Sequence, residues 1–189
     1  MLTIVWDVDD VLNHLMFDWF YQKWLVEHLN CPCRYENLEK NPPHKILGVS
    51  LEEYLCSLDE FRQKEMINLH PNQEVVRWFE ECGHRYRHAV LTATPIHTAE
   101  LSALWVVHHF GKWIRSFNFV PSVRKGRDII QYDNSKYDFL RWLGKGDIFI
   151  DDNSDNVNAA RSIGIKSYLV SRPWNNGVPL IEILRLLAN

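Results

Sequence analysis

Val5-Trp6-Asp7-Val8-Asp9-Asp10-Val11-Leu12 is the stretch on which the fold turns. The apolar run from Leu2 to Trp6 stops at three carboxylates within four residues, Asp7, Asp9 and Asp10. Short continuous apolar runs are the mark of strands buried on both faces of a parallel sheet. Charges at the carboxyl end of such a strand lie where open α/β sheets bind ligands. Carboxylates this close repel one another unless protons or a cation intervene. A hard cation such as Mg²⁺, which accepts a couple of carboxylates, a backbone carbonyl and a phosphate oxygen, is one resolution. An acidic turn facing solvent, or a helix N-cap with surplus charge, is the other.

A second stretch weighs on that choice. Ile148-Phe149-Ile150-Asp151-Asp152-Asn153-Ser154-Asp155 again runs an apolar strand into carboxylates, and two such strands side by side would share one acidic rim. Val90-Leu91-Thr92-Ala93-Thr94-Pro95 ends another strand in a hydroxyl, and Lys136 opens a helix ahead of the fourth strand. Nucleophile, metal ligands, hydroxyl and cation are all present.

Strands are expected at Leu2 to Trp6, Ala89 to Thr92, Phe117 to Val120, Ile148 to Ile150 and Lys166 to Val170. Helices are expected from Pro71 to Cys82, with Gly83 as a left-handed cap, from Thr98 to Phe110, and from Ser154 to Ile163 before Gly164. This alternation reads as an α/β protein, a Rossmann-like parallel sheet flanked by helices. The stretch after the first strand is far longer than one crossover needs. It is read as a small helical cap, residues 14–70, inserted into a core formed by residues 1–13 and 71–189. Within it, Leu15 to Leu29 is helical in pattern, Cys31 to Pro43 is a loop, and Ser50 to Ser57 and Leu58 to Asn68 are two further helices.

With these motifs in hand, the chain resembles the haloacid dehalogenase-like hydrolases. The family's DxDx[TV] element is matched by Asp7-Val8-Asp9-Asp10-Val11, its strand-end Thr by Thr92, its Lys by Lys136 and its acidic pair by Asp151 and Asp152. Lys125, in the basic stretch Arg124-Lys125-Gly126-Arg127, is the other candidate for the lysine. The resemblance implies a Mg²⁺-dependent phosphohydrolase in which Asp7 attacks phosphorus and Asp9 first protonates the leaving oxygen, then deprotonates water. It implies a metal held by Asp7, the backbone carbonyl of Asp9, and Asp152. Thr92, the backbone N–H of Ala93 and Lys136 would hold the phosphoryl oxygens, and Asp151 and Asp155 would orient Lys136 or metal-bound water. Asp9 separates phosphatases of this group from its dehalogenases, and Asp10 stands where many relatives carry Gly.

Within the group, Thr92-Ala93-Thr94-Pro95-Ile96, Leu104 to Gly111 and Arg172-Pro173-Trp174-Asn175 resemble 5'(3')-deoxyribonucleotidases. That likeness implies a nucleoside monophosphate substrate, whose base could stack on Phe17, Phe20 or Trp24. The same aromatics at helical spacing could equally pack the cap helices together. A phosphatase for another small metabolite such as a sugar phosphate, and a noncatalytic scaffold of the same fold, are the alternatives.

Composition narrows the partners. A net charge of -3 and a pI near 6.3, without a Lys/Arg run, give no field for a nucleic-acid polymer. The N-terminal apolar run is too short for a signal peptide and no window is long enough to span a bilayer, so no membrane partner and a cytoplasmic location are expected. Cys31, Cys33, Cys56 and Cys82 are expected reduced, and Cys31-Pro32-Cys33 lacks the two-residue spacer of zinc sites.

Overall fold

The computed structural model describes residues 1–125, 129–130 and 132–189. Gly126 and Arg127 of the basic stretch therefore lie outside the described residues. Five parallel strands, β1 (Thr3–Trp6), β2 (Arg87–Thr94), β3 (Ile114–Pro121), β4 (Ile148–Asp151) and β5 (Lys166–Leu169), form one sheet in the order β3-β2-β1-β4-β5. The chain runs outward from β1 through β2 to β3, then returns to β4 on the other side of β1. This reversal opens a crevice at the carboxyl ends of the central strands. Trp6 pairs with both Val90 and Ile150, so Asp7, Thr92 and Asp151 arrive at the same rim.

The central strands explain their own placement. Ile4, Val5 and Trp6 are fully buried, as are Phe149 and Ile150, because helices cover both faces of the sheet. Trp6 packs edge-on against Trp78, 5.7 Å between ring centroids, and donates from Nε1 to His88 Nδ1 at 3.1 Å. His88 reaches Gly83 O through Nε2 at 2.8 Å, so both ends of this buried polar pair are satisfied.

After β1 come α1 (Leu15–Trp19), a π-helical turn (Phe20–Trp24) and α2 (Leu25–Glu27), then α3 (Leu51–Glu65). The remaining helices are α4 (Gln73–Cys82), α5 (Ile96–Phe110), α6 (Lys136–Leu143), α7 (Ser154–Ser162) and α8 (Leu180–Ala188). The two helices expected between Ser50 and Asn68 are one, α3, followed by a 3₁₀ turn at Met66–Asn68. Ser50 Oγ caps it by accepting from Glu53 N at 3.1 Å, and no breaker stands at Ser57-Leu58, so the stripe of Tyr54, Leu58 and Phe61 continues through.

Gly83 does not take a left-handed cap. Its φ is -56°, and it enters a 3₁₀ turn instead. A Cβ there would lie 2.9 Å from Phe79 Cδ1 and 3.0 Å from Trp113 Cδ1, so close packing, not positive φ, calls for glycine. Gly164 does adopt positive φ, +85°. One apolar cluster runs from Trp6 and Phe79 through Leu12 and Leu15 to Trp19, Phe20, Trp24, Tyr54 and Phe61, joining the stretch after β1 to one face of the sheet. Among the described residues no helix is long and apolar enough to cross a membrane, and all four cysteines are free.

Candidate active site

Asp7 follows β1 directly, and its N–H still donates to Ile150 O at 2.9 Å, which locks it beside the end of β4. Lys136 is the first residue of α6, whose N-cap Ser135 accepts from Asp138 N at 3.3 Å. From there its Nζ lies 2.7 Å from both Asp7 Oδ2 and Asp151 Oδ2. Asp7, Asp151 and Asp152 are buried and each offers an oxygen within 4.8 Å of the others. A set of three buried carboxylates around one ammonium remains short of positive charge, and hard oxygen donors at this spacing fit a divalent cation. Asp7 and Asp152 are the ligands most open to it, because Asp151 is already occupied. Asp151 accepts from Lys136, from Asn153 N at 2.7 Å and from Asn156 Nδ2 at 3.2 Å.

Asp152 is held from the C-terminal side. Trp174 Nε1 donates to its Oδ2 at 2.8 Å, and Asn175 Nδ2 to its carbonyl at 2.6 Å. Burial pushes the carboxyls of Asp7 and Asp152 well above the ordinary value of 3.8, with each raised further by Asp151 and drawn back by Lys136. Burial would lower the Lys136 ammonium, but Asp151 and Asp7 outweigh it and hold the charge in place.

Asp10 is the one non-glycine residue with positive φ, +61°, among the described residues. Asp tolerates this conformation at a cost of roughly 1 kcal/mol, and local bonds offset it. Its Oδ1 accepts from Met16 N at 3.2 Å, its N–H donates to Asn13 Oδ1 at 3.1 Å, and Arg172 Nη2 donates to its carbonyl. Burial raises its carboxyl from 3.8 to about 7, with Arg172 opposing and Asp9 adding to the rise. Between those values the folded protein holds a proton that the unfolded chain has released, so Asp10 subtracts stability as pH rises through that window. His14 and His88, lowered by burial, act with the opposite sign. Comparison with a variant isolates the effect. In EDTA, Asp10→Asn should gain melting temperature relative to the parent between about pH 4 and about pH 7; a difference that is flat across this interval would remove Asp10 from the account.

A cavity of about 380 Å³ opens over the cluster, lined by Asp7, Asp9, Asp10, Thr92, Ala93, Lys136 and Asp152 from the sheet side. From the other side it is lined by Leu15, Met16, Pro42, Tyr54, Leu58 and Arg62. A neighbouring cleft of about 540 Å³ shares Leu51, Leu55, Val123 and Arg124 with it. Two expectations are corrected here, and of the two candidate lysines it is Lys136, not the alternative Lys125, that lies against Asp7. Phe17, Phe20 and Trp24 do not line the cavity: Phe20 and Trp24 are buried in the apolar cluster, and Phe17 packs on Tyr21 and Tyr35 and lines a separate pocket with His14 and Arg172. Asp155 is exposed in the first turn of α7, and Asn156, one residue and about 100° further round the helix, is the residue that reaches Asp151. Lys125 is exposed and lies 3.6 Å from Glu52, away from Asp7.

The sequence reading missed Arg62, Asp59 and Arg124. Asp9 accepts from Arg62 Nη2 at 2.8 Å and from Asn13 Nδ2 at 3.3 Å. Arg62 also reaches Asp59, which Arg124 grips with two bonds of 2.7 and 2.9 Å. The available signal was positional: Asp59 and Arg62 put charge on the inward face of a helix that also buries Tyr54, Leu58 and Phe61.

No protein-family model and no curated sequence matches the chain. Solved structures do. A haloacid dehalogenase-superfamily hydrolase, subfamily IA, from Geobacter sulfurreducens is 13% identical, with 99% of this chain and 96% of that one covered, at a TM-score of 0.57. A protein of Thermotoga maritima, provisionally named a β-phosphoglucomutase, is 20% identical over 99% and 98% at 0.53. One of Lactobacillus delbrueckii subsp. bulgaricus, provisionally named a phosphoglycolate phosphatase, is 13% identical over 97% and 90% at 0.58. At such identities the likeness establishes the fold, the haloacid dehalogenase-like α/β arrangement.

Proposed function

We propose that the chain is a Mg²⁺-dependent phosphomonoester hydrolase that works through a phosphoryl group carried on Asp7. The observation that carries this reading is the burial of Asp7 at the cavity floor, with Lys136 Nζ at 2.7 Å and two further carboxylates within 4.8 Å. A carboxylate there is a nucleophile in search of an electrophile that is itself anionic. Lys136 answers part of the repulsion between the two, since it faces Asp7 and can contact a phosphoryl oxygen as well. Mg²⁺, held by Asp7, Asp152 and the backbone carbonyl of Asp9, would supply the remaining positive charge for the phosphate.

The residues divide the work in two displacements. Asp7 forms a bond to phosphorus as the ester P–O bond breaks, and Asp9 gives its proton to the departing oxygen. Water then attacks phosphorus, Asp9 takes back a proton, and the Asp7–phosphorus bond breaks. Thr92, the N–H of Ala93 and Lys136 hold the phosphoryl oxygens throughout. Residues 14–70 act as the cap over this chemistry, and α3 supplies its inner wall.

The organic part of the substrate enters the adjoining cleft. A nucleoside monophosphate remains the finer expectation from the motifs, now without the support of an aromatic ledge from Phe17, Phe20 or Trp24; a sugar phosphate is the runner-up. The class is tested by metal removal. Treated with EDTA, the protein should lose about 10²-fold or more of its p-nitrophenyl phosphate hydrolysis and regain it with Mg²⁺, the cation's share of transition-state charge being several kcal/mol. Hydrolysis indifferent to EDTA would exclude this mechanism, and a folded protein inert with Mg²⁺ would favour a scaffold.

A further inference from the structure

A buried cation lines the cavity that phosphoryl transfer leaves without a task. Arg62, on the inner face of α3, is 6% exposed, although a guanidinium is costly to bury and an apolar residue would extend the stripe of Tyr54, Leu58 and Phe61. Its Nη1 donates to Asp59 at 3.3 Å and its Nη2 to Asp9 at 2.8 Å. Its Nε has no hydrogen-bond partner among the described residues.

Asp59 does not depend on Arg62. Arg124 binds it through both Nε and Nη2, and His97 Nε2 lies 3.5 Å from its Oδ2. The fork-to-fork pair of Asp59 and Arg124 is neutral by itself. Arg62 therefore balances its charge on Asp9, and both Asp9 oxygens are taken, Oδ1 by Asn13 and Oδ2 by Arg62. To protonate a leaving-group oxygen, Asp9 must surrender one of these bonds and take up a proton from solvent as it does so. Arg62 lines the cavity and Asn13 does not, so Oδ2 is the oxygen that turns toward a substrate. Once Asp9 turns, Arg62 is a buried guanidinium with an orphaned Nε and a released Nη2, facing the space where the substrate sits.

We infer that Arg62 recognises a carboxylate on the leaving-group side of the substrate, braced by Asp59 and Arg124, so that the substrate class is a phosphorylated hydroxy acid in place of the nucleoside monophosphate or sugar phosphate to which the motifs alone point. A substrate carboxylate replaces the Asp9 carboxylate like for like, and the planar guanidinium fork suits that shape. Arg62 Nη2 lies 2.8 Å from the Asp9 oxygen that would meet the leaving-group oxygen, so carboxylate and phosphate lie only a few bonds apart. The inference rests on the roles given above to Asp7 and Asp9. Arg62 is a specificity residue here, and Arg124 a positioning residue.

The test compares two ligands that differ at one group, 3-phosphoglycerate and glycerol 3-phosphate, by calorimetric titration of an Asp7→Asn protein with Mg²⁺. The carboxylate ligand should bind at least about tenfold tighter, the scale of a charge-assisted forked contact. Adding Arg62→Gln should bring the ratio to about one, and Arg124→Gln should lower it in part. Each ratio is internal to one protein, so a loosened fold that weakens both ligands leaves it readable; if the Arg62→Gln protein does not fold, Arg124→Gln decides. Equal binding of the two ligands, no binding of either, or a ratio that survives Arg62→Gln would overturn the inference. Wild-type hydrolysis of p-nitrophenyl phosphate separates the two readings. Hydrolysis without ligand preference removes the Arg62 role alone, whereas an Arg62-dependent preference in a protein that hydrolyses nothing keeps the recognition site and removes the phosphatase.

Discussion

Asp7→Asn is expected to lower p-nitrophenyl phosphate turnover by about 10⁴-fold or more, the scale on which enzymes lose activity with their covalent nucleophile. The amide keeps the shape of the carboxylate and can still accept from Val8 N, which now donates to Asp7 Oδ1 at 2.7 Å. Lys136 keeps its bond to Asp151. The repulsion that Asp151 and Asp152 exert on Asp7 disappears. The metal-free variant should therefore melt no lower than the parent, which separates lost chemistry from lost fold. Residual turnover within about tenfold of wild type would take the nucleophile's role from Asp7.

Lys136→Met is the second large effect, and it strikes stability as well as rate. Lys136 is 3% exposed and makes two ion pairs of 2.7 Å. Methionine fills much of its volume but leaves Asp7, Asp151 and Asp152 buried together without their cation. Removing one partner from a buried charge set costs about 3–5 kcal/mol, and removing a phosphoryl-oxygen donor costs about 10²–10³ in turnover. Urea denaturation in EDTA should show the first and steady-state kinetics the second. Mg²⁺ should restore more stability to the variant than to the parent, since the cation then meets carboxylates with no competing ammonium. A metal-free variant as stable as wild type would mean that the carboxylates do not need Lys136.

All five strands were legible in the sequence: β1 and β4, buried on both faces, leave continuous apolar runs, whereas the partly exposed edge strands β3 and β5 show as short apolar or aromatic segments after a helix and its glycine. The expectation that the two acid-ended strands lie side by side corresponds to β1 and β4, paired through Ile4, Val5 and Trp6. The structure brings Asp7, Thr92, Lys136 and Asp152 to one cavity. Distinguishing Lys136 from Lys125 required tertiary burial, which a one-dimensional pattern does not contain. The break expected inside α3 had no residue to cause it. Asp155 and Asn156 differ by one step on a helix, and a composition rule that favours carboxylates selects the wrong one. For the aromatics of the first helical stretch, helical spacing predicted a common face without saying whether that face meets substrate or core, and for Phe20 and Trp24 it meets core. Helix α8, with Leu180, Ile183, Leu184 and Leu187 on one face, carried a helical period that the sequence reading passed over. The network of Arg62, Asp59 and Arg124 joins residues up to 65 positions apart, and only the misplaced charge on an apolar face hinted at it.

Mass spectrometry of the peptide containing Asp7, from protein quenched in cold acid during turnover of an aryl phosphate, reports on the nucleophile itself. A phosphoryl group on Asp7, missing from the Asp7→Asn protein, is the predicted finding. Continued turnover with the label on another residue, or with no labelled residue at any point in the time course, would contradict it.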